Sequence, residues 1–310
     1  MKKKDLKFGI GIPQRFLTEQ MDISLLPSFF AKIESLGYQG CWVREQAANA
    51  RYDLAPIPLL SYAAALTSQV KLGTSVLLSS LRNPINLAKS LATLDRLSNG
   101  RLILGVGLGN ASSIKTLSAF GISSETRGSR FEEGIMLLKK LWTGKPVTHK
   151  GRFYQTNDLF VSPQPVQKPH PPIWFGSHGE PALKRAARLG DGWMEAGARS
   201  TKTLQKEMQL LKQFLIEEGR DITDFTFSKR VIIAVDKDRE TALKTLEEWF
   251  IAHGEPAEHA KEIAVFGTPD DCIEGLAGVA ATGVDMIALE PVYDYEGQAE
   301  RLAKEVLPGI

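Results

Sequence analysis

Short apolar segments with strand-forming composition alternate with amphipathic helical segments along this chain, and eight strand segments can be counted. This alternation is typical of a parallel sheet whose strands are joined by helical crossovers. Several segments are apolar at nearly every position, as strands buried on both faces are. The predicted strands cover residues 6–12, 40–44, 70–76, 101–107, 172–176, 192–195, 226–235 and 284–290.

Between the strands, apolar residues recur at the three- and four-residue spacing of amphipathic helices. Four of these stripes are followed by a glycine suited to the position just after a helix: Gly37, Gly100, Gly144 and Gly219. Eight strand-then-helix units favour a closed barrel over an open doubly wound sheet. We therefore interpret residues 1–310 as a single α/β domain with a (β/α)8 TIM-barrel fold.

Three connecting segments are longer than barrel loops require. They are residues 108–125 after strand 4, residues 143–170 before strand 5 and residues 253–271 before strand 8. The second carries a hairpin pattern from Val147 to Tyr154. Because long loops of a compact barrel usually act as lids or binding loops, we expect these insertions to set substrate specificity.

Charge and composition exclude several classes of partner. The 38 basic and 36 acidic residues leave a net charge of +2, without a basic patch for nucleic acid or an anionic membrane. No apolar run is long enough for a signal sequence or a membrane span, so a cytoplasmic protein is expected. Two cysteines are too few for a disulfide framework. The five histidines lack metal-ligand spacing, and no metal site is predicted.

A glycine-rich segment, Gly105 to Asn110, follows the fourth predicted strand. A dinucleotide-binding fingerprint would place its third glycine at Asn110 and open a helix there, and neither condition holds. We interpret the segment as a barrel strand whose glycines leave room for a flat or bulky ligand at its mouth.

A second glycine-containing turn, Gly176-Ser177-His178-Gly179, joins the fifth strand to a helix that begins near Pro181. Small residues expose backbone N–H groups there, and the helix dipole adds partial positive charge. The turn therefore suits a phosphate group. The alternative is a tight turn that needs glycine for its dihedral angles alone.

Charged residues at the carboxyl ends of barrel strands are candidates for the active site. Arg44, Glu45 and Gln46 end the second strand, and Arg199 lies just past the sixth. The first group could instead form an ion pair on the rim, and Arg199 could be solvated rather than bind an anion.

A set of ordered motifs carries a likeness that covers nearly the whole chain, from Phe8 to about Pro291. They are Leu72–Val76, Asn83–Pro84, Ala92–Leu102, Gly105–Gly107, Leu141–Gly144, Gly151–Tyr154, Pro171–Trp174, Ala186–Trp193 and Gly267–Pro269. In this order and spacing the chain closely resembles the bacterial-luciferase-like family of flavin-dependent oxidoreductases and monooxygenases.

The resemblance implies FMN or the deazaflavin F420 at the carboxyl ends of the strands, in a chain that forms homodimers. It places the flavin against a bulge at Thr74, Ser75 and Val76, where the family often has a non-prolyl cis peptide bond. It also places Gly107, Leu108 and Asn110 along the ring system. The turn from Gly176 to Gly179, with Ser177 and His178, would bind the cofactor phosphate.

Three positions depart from the family pattern. Gln46 stands where many members carry a histidine for proton transfer, Leu108 replaces an arginine that helps to hold FMN phosphate, and Asn110 replaces an acidic residue of some F420 enzymes. Glu45 is therefore the catalytic acid/base candidate, and Gln46 is expected to donate a hydrogen bond to flavin or substrate.

The leading functional hypothesis from the sequence is a luciferase-like monooxygenase that uses reduced flavin, with FMN ahead of F420, and O2 on a small organic substrate. One alternative is an F420-dependent dehydrogenase or reductase that transfers hydride without O2. A second alternative is a barrel that binds flavin without turnover, because fold and ligand alone do not establish chemistry.

Overall fold

A computed structural model describes residues 5–16, 21–48, 52–109, 113–195, 200–252 and 255–310. The strands of these residues are β1 (Lys7–Gly11), β2 (Arg15–Phe16), β3 (Gly40–Val43), β4 (Tyr52–Asp53), β5 (Lys71–Thr74), β6 (Leu102–Val106), β7 (Val147–Lys150), β8 (Gln155–Leu159), β9 (Ile173–Gly176), β10 (Gly192–Glu195), β11 (Thr226–Val235), β12 (Val265–Gly267) and β13 (Met286–Pro291).

Eight of these strands form a closed, fully parallel barrel in the order β1-β3-β5-β6-β9-β10-β11-β13. Pairing of β13 with β1 and of β10 with β11 closes the ring. Each barrel strand coincides with one of the eight segments predicted from the sequence, so the TIM-barrel prediction is confirmed. The short strand β12 was missed, because three residues next to β11 carry too little pattern to separate them from a loop.

Helices connect the barrel strands and surround them, and the four predicted helical stripes lie on α1, α3, α5 and α7. The described helices are α1 (Leu25–Ser35), α2 (Pro56–Leu66), α3 (Pro84–Leu97), α4 (Ile114–Ala119), α5 (Arg127–Leu141), α6 (Glu180–Leu189), α7 (Thr201–Glu217), α8 (Arg239–Ala252), α9 (His259–Ile263), α10 (Pro269–Ala280) and α11 (Tyr295–Arg301). Within the parts of the chain that the structure describes, no helix is both long and apolar enough to cross a membrane.

Two stacked tryptophans fill the interior of the barrel. The rings of Trp42 and Trp174 lie 5.3 Å apart at an interplanar angle of 28°. Glycines on neighbouring strands make room for them, since a Cβ added at Gly73 would lie 2.1 Å from the Trp42 ring and one at Gly192 would lie 2.5 Å from Trp174. The interior is a packed core, and the strand ends above it are left to form a site.

The three long segments carry their own secondary structure. The hairpin predicted from residue 147 forms between β7 and β8, which pair antiparallel. Helix α4 lies in the insertion after β6, and α9 with β12 lies in the insertion before α10. These insertions add to the loops at the barrel surface without interrupting the ring of strands.

Candidate functional site

The chain leaves β5 through a bulge at the carboxyl end of the barrel. The peptide bond between Ser75 and Val76 is cis, the conformation that the family resemblance implies at this pair. The Gly105 carbonyl anchors both sides of the bulge, accepting from Thr74 Oγ1 at 2.7 Å and from the Leu77 N–H at 2.8 Å. The bulge is therefore held against the neighbouring strand β6.

The glycines near this bulge make room for the chain itself. A Cβ added at Gly105 would lie 1.8 Å from the Thr74 carbonyl oxygen. Cβ atoms added at Gly107 and Gly176 would lie 2.5 and 2.4 Å from methyl groups of Val76. This corrects the interpretation that the glycines after strand 4 directly leave space for a ligand. They let the bulge sit close to β6 and β9, and any ring would lie against the bulge.

Two buried hydroxyl oxygens at the strand ends have no hydrogen-bond partner among the described residues. They are Ser75 Oγ in the bulge and Ser177 Oγ in the turn after β9. Buried polar atoms nearly always have a hydrogen-bond partner. Two hydroxyl oxygens without one at the same rim therefore suit hydrogen bonds to a bound molecule. The residues at this rim therefore offer polar atoms that fit a bound molecule such as the flavin that the resemblance implies.

The turn after β9 is open on its outer side. Gly179 precedes α6 with φ 77° and ψ 158°, a combination that favours glycine. No atom of the described residues lies within 4 Å of a Cβ added there. The backbone is fixed on its inner side, where Trp193 Nε1 donates to the Ser177 carbonyl at 2.9 Å. The outer side of the turn at Gly179 is therefore open to a ligand.

A carboxylate from α7 already contacts this turn. The Gly179 N–H donates to Glu207 Oε1 at 3.1 Å, and His178 Nδ1 lies 3.0 Å from Glu207 Oε2. The other ring nitrogen of His178 lies 3.6 Å from Glu195 Oε1. One of the backbone groups predicted to bind phosphate therefore has a partner within the protein.

We expect replacement of Gly179 by leucine to weaken cofactor binding at least about tenfold, because a bulky side chain closes the approach to the turn and about 1.4 kcal/mol corresponds to a factor of ten. Gly219→Leu is the matched control. Gly219 also has a positive φ, 68°, and also faces open space among the described residues, but it follows α7. Cofactor fluorescence titration and melting temperature are measured for both variants. Unchanged affinity in Gly179→Leu, with a lowered melting temperature, would mean that the glycine serves the turn alone.

Glu45, two residues after the end of β3, is a buried, ion-paired carboxylate. It accepts hydrogen bonds from the Leu78 N–H at 2.6 Å and from both terminal nitrogens of Arg82, at 3.0 and 2.5 Å. Its side chain is 2% exposed, whereas Gln46 next to it is exposed. Both interpretations from the sequence, an acid/base group and an ion pair, remain compatible with this position, and the ion pair joins β3 to the segment after the bulge.

The structure places further charged side chains at the strand ends, and the sequence analysis did not identify them as candidates. A buried ion pair joins Glu195, at the end of β10, to Lys229 on β11. Glu290 near the end of β13 lies 3.1 Å from Arg44 and 3.7 Å from Arg230. Burial lowers the pKa of Arg230 to about 10, although Glu290 opposes this shift. The criterion that singled out residues 44–46, a charge at a strand's carboxyl end, applies equally to Glu195 and Glu290.

The structure brings most of the predicted site residues to one rim. They follow β3, β5, β6 and β9, which are consecutive strands of the barrel, with Glu195 added by the next strand, β10. Leu108 is half-buried beside Gly107 on this rim. Asn110 and Arg199 lie outside the described residues.

This barrel with its cis-peptide bulge belongs to a known class of oxidoreductases. The luciferase-like monooxygenase family matches residues 6–286, so the chain is a member of that family. A curated relative from Microbacterium testaceum (strain StLB037), named F420-dependent glucose-6-phosphate dehydrogenase, is 27% identical over 96% of this chain and 98% of its own length.

Solved structures agree in fold. An F420-dependent secondary alcohol dehydrogenase, solved with an F420-acetone adduct, superposes with a TM-score of 0.85 at 20% identity and covers 98% of both chains. The monooxygenase RslO1 from Streptomyces bottropensis superposes with a TM-score of 0.83 at 24% identity, covering 98% of this chain and 99% of its own. The chain is thus a luciferase-like oxidoreductase, and its neighbours in fold include both dehydrogenases and monooxygenases.

Proposed function

We propose that this protein is an F420-dependent oxidoreductase that transfers hydride between the deazaflavin and a small organic substrate without using O2. The full-length curated relative named above supports this choice. So does a second F420-dependent glucose-6-phosphate dehydrogenase, from Kineococcus radiotolerans, at 31% identity over 74% of this chain and 70% of its own length. The proposal therefore reverses the order expected from the sequence, in which an FMN-dependent monooxygenase came first.

The structural observation that supports cofactor binding in this proposal is the contact between the cis-peptide bulge and the turn after β9. Val76 fills the space beside Gly176, so the two features form one continuous surface, with a buried unpaired hydroxyl from each. Such a surface suits a ligand with a flat ring and a phosphate further along its side chain, as both flavins have. The relatives favour the deazaflavin.

The chain's own residues would contribute binding, orientation and proton handling. F420, when bound, would supply the group that accepts or gives the hydride. Thr74, Ser75 and Val76 would hold the ring, and the turn from Ser177 to Gly179 would hold the phosphate. Glu45 would exchange a proton at its carboxylate, and the exposed Gln46 amide would orient the substrate.

Anaerobic turnover tests the proposal. The purified protein is incubated with F420 and with either glucose 6-phosphate or a secondary alcohol, and the absorbance of the oxidised deazaflavin is followed. We expect that absorbance to fall with at least one substrate class at a rate that O2 does not change. Samples without substrate are the control. Oxygen consumption with reduced FMN and no reaction with F420 would instead establish a monooxygenase. The absence of turnover with both cofactors would favour a non-catalytic flavin-binding barrel.

A further inference from the structure

A tryptophan of the neighbouring strand holds the turn that we propose binds phosphate. Trp193 lies on β10 and is completely buried. Strands β9 and β11 pair with β10 on both sides and place Phe175 and Phe227 opposite Trp193. The indole Nε1 donates to the Ser177 carbonyl at 2.9 Å. Because a closely packed indole has little freedom to rotate, this donor lies at a fixed point against the turn.

The side chain of Trp193 lies in the layer between the strands and the helices. It belongs to the same core cluster as Leu183 of α6 and Leu204 of α7. Met194, the next residue, belongs to the separate cluster inside the barrel, since successive side chains of a strand point to opposite faces. The Ser177 carbonyl, which accepts from the indole, therefore points towards the helix layer.

The direction of this carbonyl fixes the direction of the next N–H group. The peptide bond between Ser177 and His178 is trans, and the C=O and N–H of a planar trans peptide point in opposite directions. The His178 N–H therefore points away from the helix layer. Among the described residues nothing accepts a hydrogen bond from it, whereas the Gly179 N–H next to it donates to Glu207. The His178 N–H is thus a backbone donor of this turn that remains available to an anion.

We infer that Trp193 is a positioning residue for the phosphate of the cofactor. The inference rests on the proposed function and adds a completely buried residue that acts only through the turn. By holding the Ser177 carbonyl, the indole orients the His178 N–H before the cofactor binds. Without this hydrogen bond the peptide plane can rotate, and binding must then also restore its orientation, which weakens affinity.

The substitution Trp193→Phe tests this role, because phenylalanine keeps an aromatic ring in the core and removes the N–H donor. Dissociation constants are measured by fluorescence for F420 and for its phosphate-free chromophore. The ratio of the two constants reports the contribution of the phosphate-bearing tail. We expect F420 binding to weaken about tenfold relative to the chromophore, as the loss of one hydrogen bond to a charged group would produce. Binding of the chromophore itself should change little.

Trp142→Phe is the matched control. Trp142 is 1% exposed, and its Nε1 donates to the Ala88 carbonyl at 3.1 Å. This hydrogen bond joins the end of α5 to α3 and does not involve the turn. Both variants lose an indole-to-carbonyl hydrogen bond in the core, so both should have a lower melting temperature. We expect the ratio of dissociation constants to change in Trp193→Phe alone.

A wild-type ratio in Trp193→Phe, or an equal change of the ratio in Trp142→Phe, would overturn the inference and leave the indole with a structural role only. Wild-type protein that fails to bind F420 would contradict the proposed function itself. Wild-type protein that binds F420 while the ratio is unchanged in Trp193→Phe would contradict this inference alone. If Trp193→Phe does not fold, benzothienylalanine at position 193 replaces the ring N–H by sulfur in a ring system of similar shape, and the same change of the ratio is expected.

Discussion

Replacing Glu45 by glutamine is expected to lower turnover about 100-fold while the affinity for F420 changes little. Glu45 follows β3 by two residues and stands beside Gln46, the position for which the family resemblance implies a histidine that transfers protons. Glutamine keeps the side-chain shape and can still accept from the Leu78 N–H, which lies 2.6 Å from the carboxylate, but it cannot exchange a proton. The turnover number, its pH profile and the cofactor dissociation constant are measured on one preparation.

Because Glu45 also forms an ion pair with Arg82, a loss of turnover in Glu45→Gln could come from the lost ion pair alone. The control variant Arg82→Gln breaks the same ion pair and leaves the carboxylate in place. An acid/base role predicts a much larger loss of turnover in Glu45→Gln than in Arg82→Gln. Equal losses of turnover and of melting temperature in the two variants would assign Glu45 to the ion pair. Wild-type turnover in Glu45→Gln would likewise remove it from the chemistry.

Replacing Gly105 by alanine is expected to lower the free energy of unfolding by about 3 kcal/mol, the upper part of the usual range for overpacking. The added methyl carbon would lie 1.8 Å from the Thr74 carbonyl oxygen and 2.9 Å from its carbon. This backbone cannot give way easily, because Thr74 Oγ1 and the Leu77 N–H both bond to the Gly105 carbonyl. Alanine is accommodated only if the bulge moves, so cofactor affinity should fall together with the midpoint of urea unfolding.

Gly278→Ala is the control for this change. Gly278 lies on the exposed face of α10, and no atom of the described residues lies within 4 Å of an added Cβ. Alanine in a helix is more favourable than glycine by roughly 0.5–1 kcal/mol, so this variant should be slightly more stable than the wild type. Equal stability of the two variants would contradict the close approach of β6 to the bulge.

The sequence by itself determined the architecture and the rim of the barrel where a site is expected. Periodicity and apolar content are properties of short segments, so the eight barrel strands and the helices α1, α3, α5 and α7 could be recognised from neighbouring residues alone. Because the carboxyl ends of parallel strands meet at one rim, residues as distant as Ser75, Gly107 and Gly176 could be expected together. Family resemblance added the cis conformation of the Ser75–Val76 bond.

Only the tertiary structure showed which side chains and backbone groups each of these residues contacts. Arg82 reaches Glu45 across 37 positions of the chain, and Glu207 reaches Gly179 across 28. Glu207 lies on the buried face of α7, three residues after Leu204 and four before Leu211, so its spacing could place it inside the protein but could not show that it meets Gly179. The sequence likewise indicated that the glycines at the end of β6 leave space for a ligand, whereas the bulge after β5 fills that space. Contacts of this kind depend on the relative positions of whole strands and helices, and local sequence patterns do not encode those positions.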